Sequence, residues 1–535
     1  MPTVTTATQG IALSQLVSAG DIGQAPVSTP LTVRMGLLIQ NKQGLNQYIK
    51  NITTRGNALY GQRLTPAQFK AAYAPSNEQV QQVVSFLEGA GFSNIQVTPN
   101  NLIVSADGTI AAASAAFHTS FESYNQFGNV VFGNVSAPQI PASLGSIVGA
   151  VLGLNTIGQM KPTIGVSVPE YAVSYEPKDF LQIYDGEAAQ PASNVSIAII
   201  AEGNLTQVTQ DLRTAEQLFG TVPVPYTIVQ VGPPSTDTSG EDEFDLDSQY
   251  STGMAGVVKM LYLYDSPTLT DSDLALTISR FVSDDLAQAA SASLGECEVF
   301  PYIDGSMLVD DESFAEAAAQ GQTFFASSGD TGSFCPAGPA GMNGVPAGAP
   351  LVQYPAASQY VVGVGGTTLL TNGVQTTQYG SAYTYNSEIA WYAGGGGLSQ
   401  FEASPWWQQA AFLPSAEDDA KAVPDVAYDA DPESGANVVV DGSAEGVGGT
   451  SLSSPMMLGT WARVLQANPS IGYGAPVLYS LYVGTSNLTP YYPKAGFHDI
   501  ILGANGLYPA TVGYDLTTGL GTPDIDQLVL ALSQQ

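Results

Sequence analysis

Between residues 196 and about 370, short apolar runs alternate with amphipathic ones, and this alternation restricts the possible folds more than any other feature of the chain. Ser196 to Ala201, Tyr226 to Val231, Ala289 to Leu294, Thr323 to Ser327 and Tyr360 to Val364 have the length and apolar content of buried strands. Gln207 to Phe219, Leu274 to Val282 and Glu312 to Gln320 read as the helices between them. Strands apolar on both faces, separated by helices, predict a parallel sheet covered on both sides. In such sheets, sites gather at the carboxyl ends of the strands.

Three stretches near those ends carry chemistry. Gly448-Gly449-Thr450-Ser451, ahead of Pro455 and a helix over Met456 to Ala467, presents a hydroxyl at a helix N-terminus, where oriented N–H groups favour a developing negative charge. Ser327-Ser328-Gly329-Asp330-Thr331-Gly332 holds Asp330 out at a strand tip between glycines, although a Gly-Asp-x-Gly alone also reads as a turn. Gly240 to Asp247 opens a helix whose apolar stripe is Leu246, Tyr250, Met254, Val257 and Leu261. Acids suit a first helical turn, but at about 100° per residue Glu243 and Asp247 lie only about 20° and 60° from the stripe, whereas Glu241 and Asp245 lie about 180° and 140° away. Glu243 and Asp247 therefore point inward together, and a shared proton is the usual way to keep two such carboxylates close.

A serine nucleophile needs a base. The only histidines are His118 and His498, neither of them in the sheet region. A carboxylate replaces imidazole only when its pKa is near the working pH, which in acid an ordinary Glu satisfies. The charge balance points the same way: 14 basic against 47 acidic residues, a formal net charge of -33. Self-repulsion on that scale at neutral pH is relieved at about pH 3 to 4, where carboxylates protonate. The same balance excludes nucleic acid as a partner. No apolar run reaches the roughly 18 residues needed to span a membrane. The first 25 residues lack a basic start and an apolar core, so no clear signal peptide is seen. Cys297 and Cys335 are the only cysteines, and the sequence leaves open whether they pair.

The acidity is uneven. Residues 1 to 190 hold 8 basic and 10 acidic side chains, so nearly the whole negative charge lies beyond them. Strands and helices at short spacing predict a compact α+β unit over 29 to 154, with two helices at Leu64 to Ala72 and Ser76 to Gly89. Residues 1 to 28 read as a flexible arm and the proline-bearing stretch 155 to 190 as a linker.

Taken in order, Glu243 to Asp247, Ser327 to Gly332, Val352 to Thr367, Val423-Pro424-Asp425-Val426-Ala427, Gly448 to Pro455 and Phe497-His498-Asp499-Ile500 resemble the sedolisin family of serine-carboxyl peptidases, related in fold to subtilisin, and its kumamolisin-type precursors. The resemblance implies an α/β fold, a subtilisin-like parallel sheet covered by helices over 191 to 535, preceded by a smaller ferredoxin-like α+β prodomain that inhibits the enzyme and is removed by self-cleavage within about 160 to 190. It implies Ser451 as nucleophile, Glu243 as general base, Asp247 as its orienting partner, and Asp330 as a protonated oxyanion donor. It also implies one structural Ca2+ held by the carboxylates of Asp499 and Asp515 and the carbonyls of Ile500, Thr511 and Gly513. The expected partners are protein or peptide substrates and the chain's own prodomain, and the expected setting is a secreted monomer in an acidic exterior. Two departures touch an outer network: Ala201, with Glu202 one step on, and Leu294 stand where kumamolisin-like enzymes carry Glu and Trp. The competing expectations are a subtilisin-type hydrolase using His498 and a non-catalytic binding protein on the same scaffold. Residues 371 to 422, with Gly394 to Gly397 and Trp406-Trp407, are candidate substrate subsites or core.

Overall fold

The computed structural model describes residues 2–10, 21–126, 128–166, 173–335, 350–373, 383–411, 419–484 and 496–534. Its centre is an eight-stranded sheet built from β1 (Ser196–Glu202), β2 (Tyr226–Gln230), β3 (Met260–Ser266), β4 (Ala289–Ala292), β5 (Thr323–Ser327), β6 (Val361–Asn372), β7 (Thr384–Ala390) and β8 (Val426–Asp429), in the order β2-β3-β1-β4-β5-β6-β7, with β8 also paired to β6. All neighbours run parallel except β7, which lies antiparallel to β6. Every residue of β1, β4 and β5 is buried, as expected for strands sandwiched between helical layers. The covering helices include α1 (Thr206–Phe219), α2 (Glu241–Ala255), α3 (Asp271–Asp284), α4 (Ser306–Gln320) and α5 (Thr450–Ala467). Among the described residues, no helix is long and apolar enough to cross a membrane.

The structure moves several boundaries. The stripe assigned to one helix ends early: Gly256, at φ 76°, takes a conformation that a side chain resists, α2 stops at Ala255, and Leu261 belongs to β3. Nor is α2 two-sided, since every residue from Glu243 to Ala255 is buried, including Asp245, which the periodicity turned outward. Helix α5 begins at Thr450, so Ser451 lies in its first turn and Pro455 lies inside the helix. Pro455 has no N–H, so the Ser451 carbonyl is free of its usual helical donor.

The N-terminal unit is built on an antiparallel sheet in the order Ser93–Val97, Ile103–Thr109, Pro30–Leu37, Val148–Leu152, covered by helices that include Asn77–Gly89, whose Ser76 and Gln79 form a reciprocal cap. The first residues are not a simple flexible arm. Thr3–Thr5 pairs with Gln139–Pro141, and Asp21–Gln24 with Phe121–Gln126. The stretch read as linker is also structured in part, with a helix over Pro177–Ile183 whose Phe180 and Ile183 join the main core. The N-terminal sheet rests on α4. Polar contacts tie the two units: Arg34 to Asp273 of α3 at 2.5 Å, Lys42 to Glu312 of α4 at 3.2 Å, and Asn100 Nδ2 to Glu316 Oε2 at 2.7 Å. Trp406, a candidate subsite residue, lies beneath Lys50 of the N-terminal unit at 5.1 Å, and Trp407 is buried in the core. Cys297 and Cys335 are bonded, with Cα atoms 5.6 Å apart.

Candidate active site

At the carboxyl end of the sheet the structure brings Ser451, Glu243, Asp247 and Asp330 together. Gly449, at φ 107°, lets the chain turn into α5, and Ser451 follows in the first turn. Ser451 Oγ donates to Glu243 Oε2 at 2.8 Å, and both residues are buried. Glu243 and Asp247 are one turn apart on α2. Burial, then the Asp247 charge, raises Glu243 well above the ordinary Glu range, while the Ser451 hydrogen bond opposes the shift. Burial likewise raises Asp247, against a hydrogen bond from Ser293. Glu243 Oε1 and Asp247 Oδ2 have no hydrogen-bond donor among the described residues, and burial of both carboxyls favours keeping a proton on the pair.

Sequence reasoning gives Ser293 no role. It follows β4 directly, so the strand-end rule could have singled it out. Its Oγ lies 2.5 Å from Asp247 Oδ1 and 3.2 Å from the Ser451 carbonyl that Pro455 leaves free. A hydroxyl has one proton to give, and the short contact to the carboxylate takes it.

Asp330 sits just beyond β5, where Oδ1 accepts the Thr450 N–H at 2.9 Å and the Thr450 Oγ1 hydroxyl at 2.7 Å. Burial pushes it up to about 7, against those two bonds. The Gly394 to Gly397 run buttresses this loop: Gly395 N–H donates to the Gly329 carbonyl at 2.6 Å and Ser328 Oγ to the Gly395 carbonyl at 2.7 Å. A Cβ at Gly395 would come within 2.0 Å of the Ser328 carbonyl oxygen, so the close approach requires glycine there.

The cleft is filled by the chain itself. Lys161–Pro162 pairs antiparallel with Gly295 and Leu294, and Gly165–Val166 pairs antiparallel with Gly448 and Val447. Between them, Thr163 Oγ1 lies 2.8 Å from Ser451 Oγ and 2.9 Å from Ser327 Oγ. The Thr163 carbonyl oxygen and Asp330 Oδ2 both occupy the space that a side chain at Gly449 would need, 2.1 Å and 2.7 Å from that Cβ position. Nothing in the sequence of 161 to 166 marks it as a segment that threads the site; only the three-dimensional path does.

His498 is elsewhere, with its ring stacked on Tyr385 at 4.1 Å between centroids. Glu202 turns towards Asp237 and Asp265 instead of Glu243; burial and those two charges push it up to about 7. In the C-terminal loop, both Asp499 oxygens lie 3.0 Å from the Gly513 N–H, and Asp515 Oδ2 accepts the Thr511 N–H at 2.9 Å. The loop thus sets two carboxylates against the backbone of 511 to 513, and carboxylate oxygens are ligands a hard cation takes.

A covered parallel sheet with a serine at a helix N-terminus and a carboxylate as its hydrogen-bond partner defines a serine-type peptidase on a subtilisin-like fold. Comparison with known proteins narrows the class. Residues 18–157 match the pro-kumamolisin activation domain and residues 235–496 the subtilase family. The chain is 36% identical to xanthomonalisin of Xanthomonas sp. (strain T-22), over 93% of this chain and 65% of that protein, and 36% identical to sedolisin of Pseudomonas sp. (strain 101), over 92% of this chain and 86% of that protein. Kumamolisin of Bacillus sp. (strain MN-32) is 28% identical over 87% of this chain, so the likeness to kumamolisin-type enzymes is weaker than to those two. The solved structure of Pseudomonas sedolisin, a serine-carboxyl proteinase complexed with pseudo-iodotyrostatin, superposes with a TM-score of 0.59 at 34% identity, over 68% of this chain and 99% of that one. The chain belongs to the sedolisin family, and it is a serine-carboxyl peptidase precursor with an N-terminal activation domain.

Proposed function

We propose that this chain is an acid-acting endopeptidase in which Ser451 is the nucleophile, Glu243 the general base and then acid, Asp247 its orienting partner and Asp330 the oxyanion donor. The observation that carries this reading is the 2.8 Å hydrogen bond from Ser451 Oγ to Glu243 Oε2. With one proton on the Glu243–Asp247 pair, Glu243 Oε2 is free to take the Ser451 proton as Oγ attacks the peptide carbonyl. Charge then gathers on the carbonyl oxygen. A neutral Asp330 donates a hydrogen bond to that oxygen, which an ionised one would repel, and burial, by pushing its pKa up to about 7, favours the neutral form in acid. Glu243 returns the proton to the leaving amine, and a water activated by the same carboxylate hydrolyses the acyl-enzyme.

The threaded segment supports self-processing. Its pairing on both sides of Ser451, with the Thr163 carbonyl on the Asp330 side of Gly449, favours the Thr163–Ile164 bond as the first one cut. That bond lies inside the expected linker, and the mature enzyme would begin at Ile164. The enzyme would be released into an acidic exterior. The test is to hold the purified precursor across pH 2 to 8, sequence the new N-terminus and assay casein. A new N-terminus at Ile164 that forms only in acid supports the proposal; a Ser451→Ala chain processed at the wild-type rate overturns it.

Asp499, Asp515 and the carbonyls of Ile500, Thr511 and Gly513 would hold one Ca2+, which would cross-link the C-terminal loop without entering the chemistry. Chelation should then lower the thermal midpoint of the wild type, and Asp499→Ala should bind one calcium fewer by equilibrium dialysis.

A further inference from the structure

The face of α2 away from Ser451 carries a second group of carboxylates that the peptidase chemistry does not use. Asp245 is 0% exposed, and neither of its oxygens has a hydrogen-bond donor among the described residues. Glu241 lies one turn before it on the same face, with a buried Oε1 that also lacks a donor. Asp211 of α1 comes from the opposite side, held by the Gly442 N–H at 2.8 Å on Oδ1 and by Gln207 Nε2 at 3.0 Å on Oδ2. One oxygen from each of the three lies within 4.8 Å of the other two.

Helix dipoles do not account for this arrangement. They favour acids in a first turn, where Glu241 sits, but Asp245 is in the second turn of α2 and Asp211 well inside α1. The charged groups that act on Asp245 are Asp211, Glu241, Asp242 and Asp441, all acidic, and with burial they push it up to about 9. A buried carboxylate without donors, facing two more carboxylates, calls for a positive charge. Oxygens bound at about 2.4 Å to a common calcium ion are at most about 4.8 Å apart, so the observed spread fits a single first coordination sphere.

We propose that Asp211, Glu241 and Asp245 form a binding site for a hard divalent cation such as calcium, with water completing the shell. The ion joins α1 to the N-terminal turns of α2, the part of the helix that carries Glu243 and Asp247. Loading therefore stiffens the support of the catalytic pair without touching the reacting atoms. The site is independent of the calcium loop at Asp499 and of the peptidase reading.

The test uses the full-length precursor carrying Ser451→Ala, which stays intact, stripped of metal at pH 7.5. Calcium binding is measured by equilibrium dialysis and by the shift in thermal midpoint, in this parent and with Asp245→Asn, Glu241→Gln or Asp499→Ala added. Asp245→Asn is expected to bind one calcium fewer than the parent, Glu241→Gln to weaken that equivalent at least tenfold, and Asp499→Ala to leave it in place. Unchanged stoichiometry and affinity in both Asp245→Asn and Glu241→Gln would show that protons alone neutralise the cluster and overturn the proposal. Glu241→Gln, half-exposed at the rim, decides the question if Asp245→Asn does not fold.

Discussion

Helix α2 carries two pairs of carboxylates, each pair one turn apart, and the fold treats them differently. Glu243 and Asp247 meet hydroxyls: Ser451 on one and Ser293 on the other, each at a hydrogen-bonding distance. Glu241 and Asp245 meet another carboxylate, Asp211, and Asp245 meets no donor among the described residues. Both pairs are crowded, and burial raises the pKa of all four side chains. In the proposed reading, one face passes a proton to and from a neighbour, and the other holds charge still. Residue type alone does not make a carboxylate catalytic; the donor placed against it does.

The comparison breaks most sharply under conservative amide substitutions. Glu243→Gln removes the proposed base and should lower kcat by about 10⁴-fold or more, whereas Glu241→Gln should leave kcat/KM within about threefold in the presence of calcium, both measured on a peptide substrate at acidic pH. Comparable losses in the two would mean that the faces are not functionally distinct. Next in size, Asp330→Ala removes the proposed oxyanion donor and should cost about 10²- to 10³-fold in kcat, whereas Asp330→Asn keeps an N–H donor at every pH. With wild-type Asp330, activity should be fully present well below pH 7 and fall as the pH rises through about 7, because the group must be protonated to donate. That limb of the pH–rate profile should vanish in Asp330→Asn.

Ser293→Ala tests whether the serine positions Asp247 or merely packs against it. Its hydrogen bond lowers the Asp247 pKa, so its loss should raise that pKa, move the acidic limb of kcat upward in pH and cost about tenfold in kcat with KM little changed. Rescue by Ser293→Thr would confirm the hydroxyl's part; an unchanged pH profile would reduce the serine to packing. The smallest effect is thermodynamic. Glu296 is half-buried and Glu316 buried, and desolvation pushes the pKa of each up to about 8, so the folded chain binds more protons than the unfolded one. Their contribution to stability is complete below about pH 4 and is lost as the pH rises through about 8, so the urea midpoint of the Ser451→Ala precursor should decline over that interval.

Much of this was legible in the chain, for a physical reason. Buried parallel strands announce themselves as apolar runs, and the rule that sites lie beyond their carboxyl ends led to Asp330, just past β5. The 3.6-residue period separated Glu243 and Asp247 from Glu241 and Asp245, and the second pair does point away from Ser451. It could not show that the other side is also buried, because periodicity marks the more apolar face and is silent when a second helix, here α1 with Asp211, covers the polar one. The extent of α2 was misjudged because Gly256 stops the helix while the apolar pattern runs on into β3. The segment around Thr163 was invisible for a deeper reason. Its conformation is imposed by strands more than a hundred residues away, Leu294–Cys297 and Ser443–Gly448, and local composition carries no trace of such partners.

The threaded segment also changes what maturation measures. Because Thr163 already lies against Ser451 in the same molecule, the first cut needs no encounter, and its half-time should not depend on how dilute the precursor is. With the proposed cut at Thr163–Ile164, each chain would perform its inaugural turnover on itself, and only a chain whose helices have assembled correctly would open its own cleft. Release of the N-terminal unit would then be a proofreading step: an incorrectly folded copy would stay sealed.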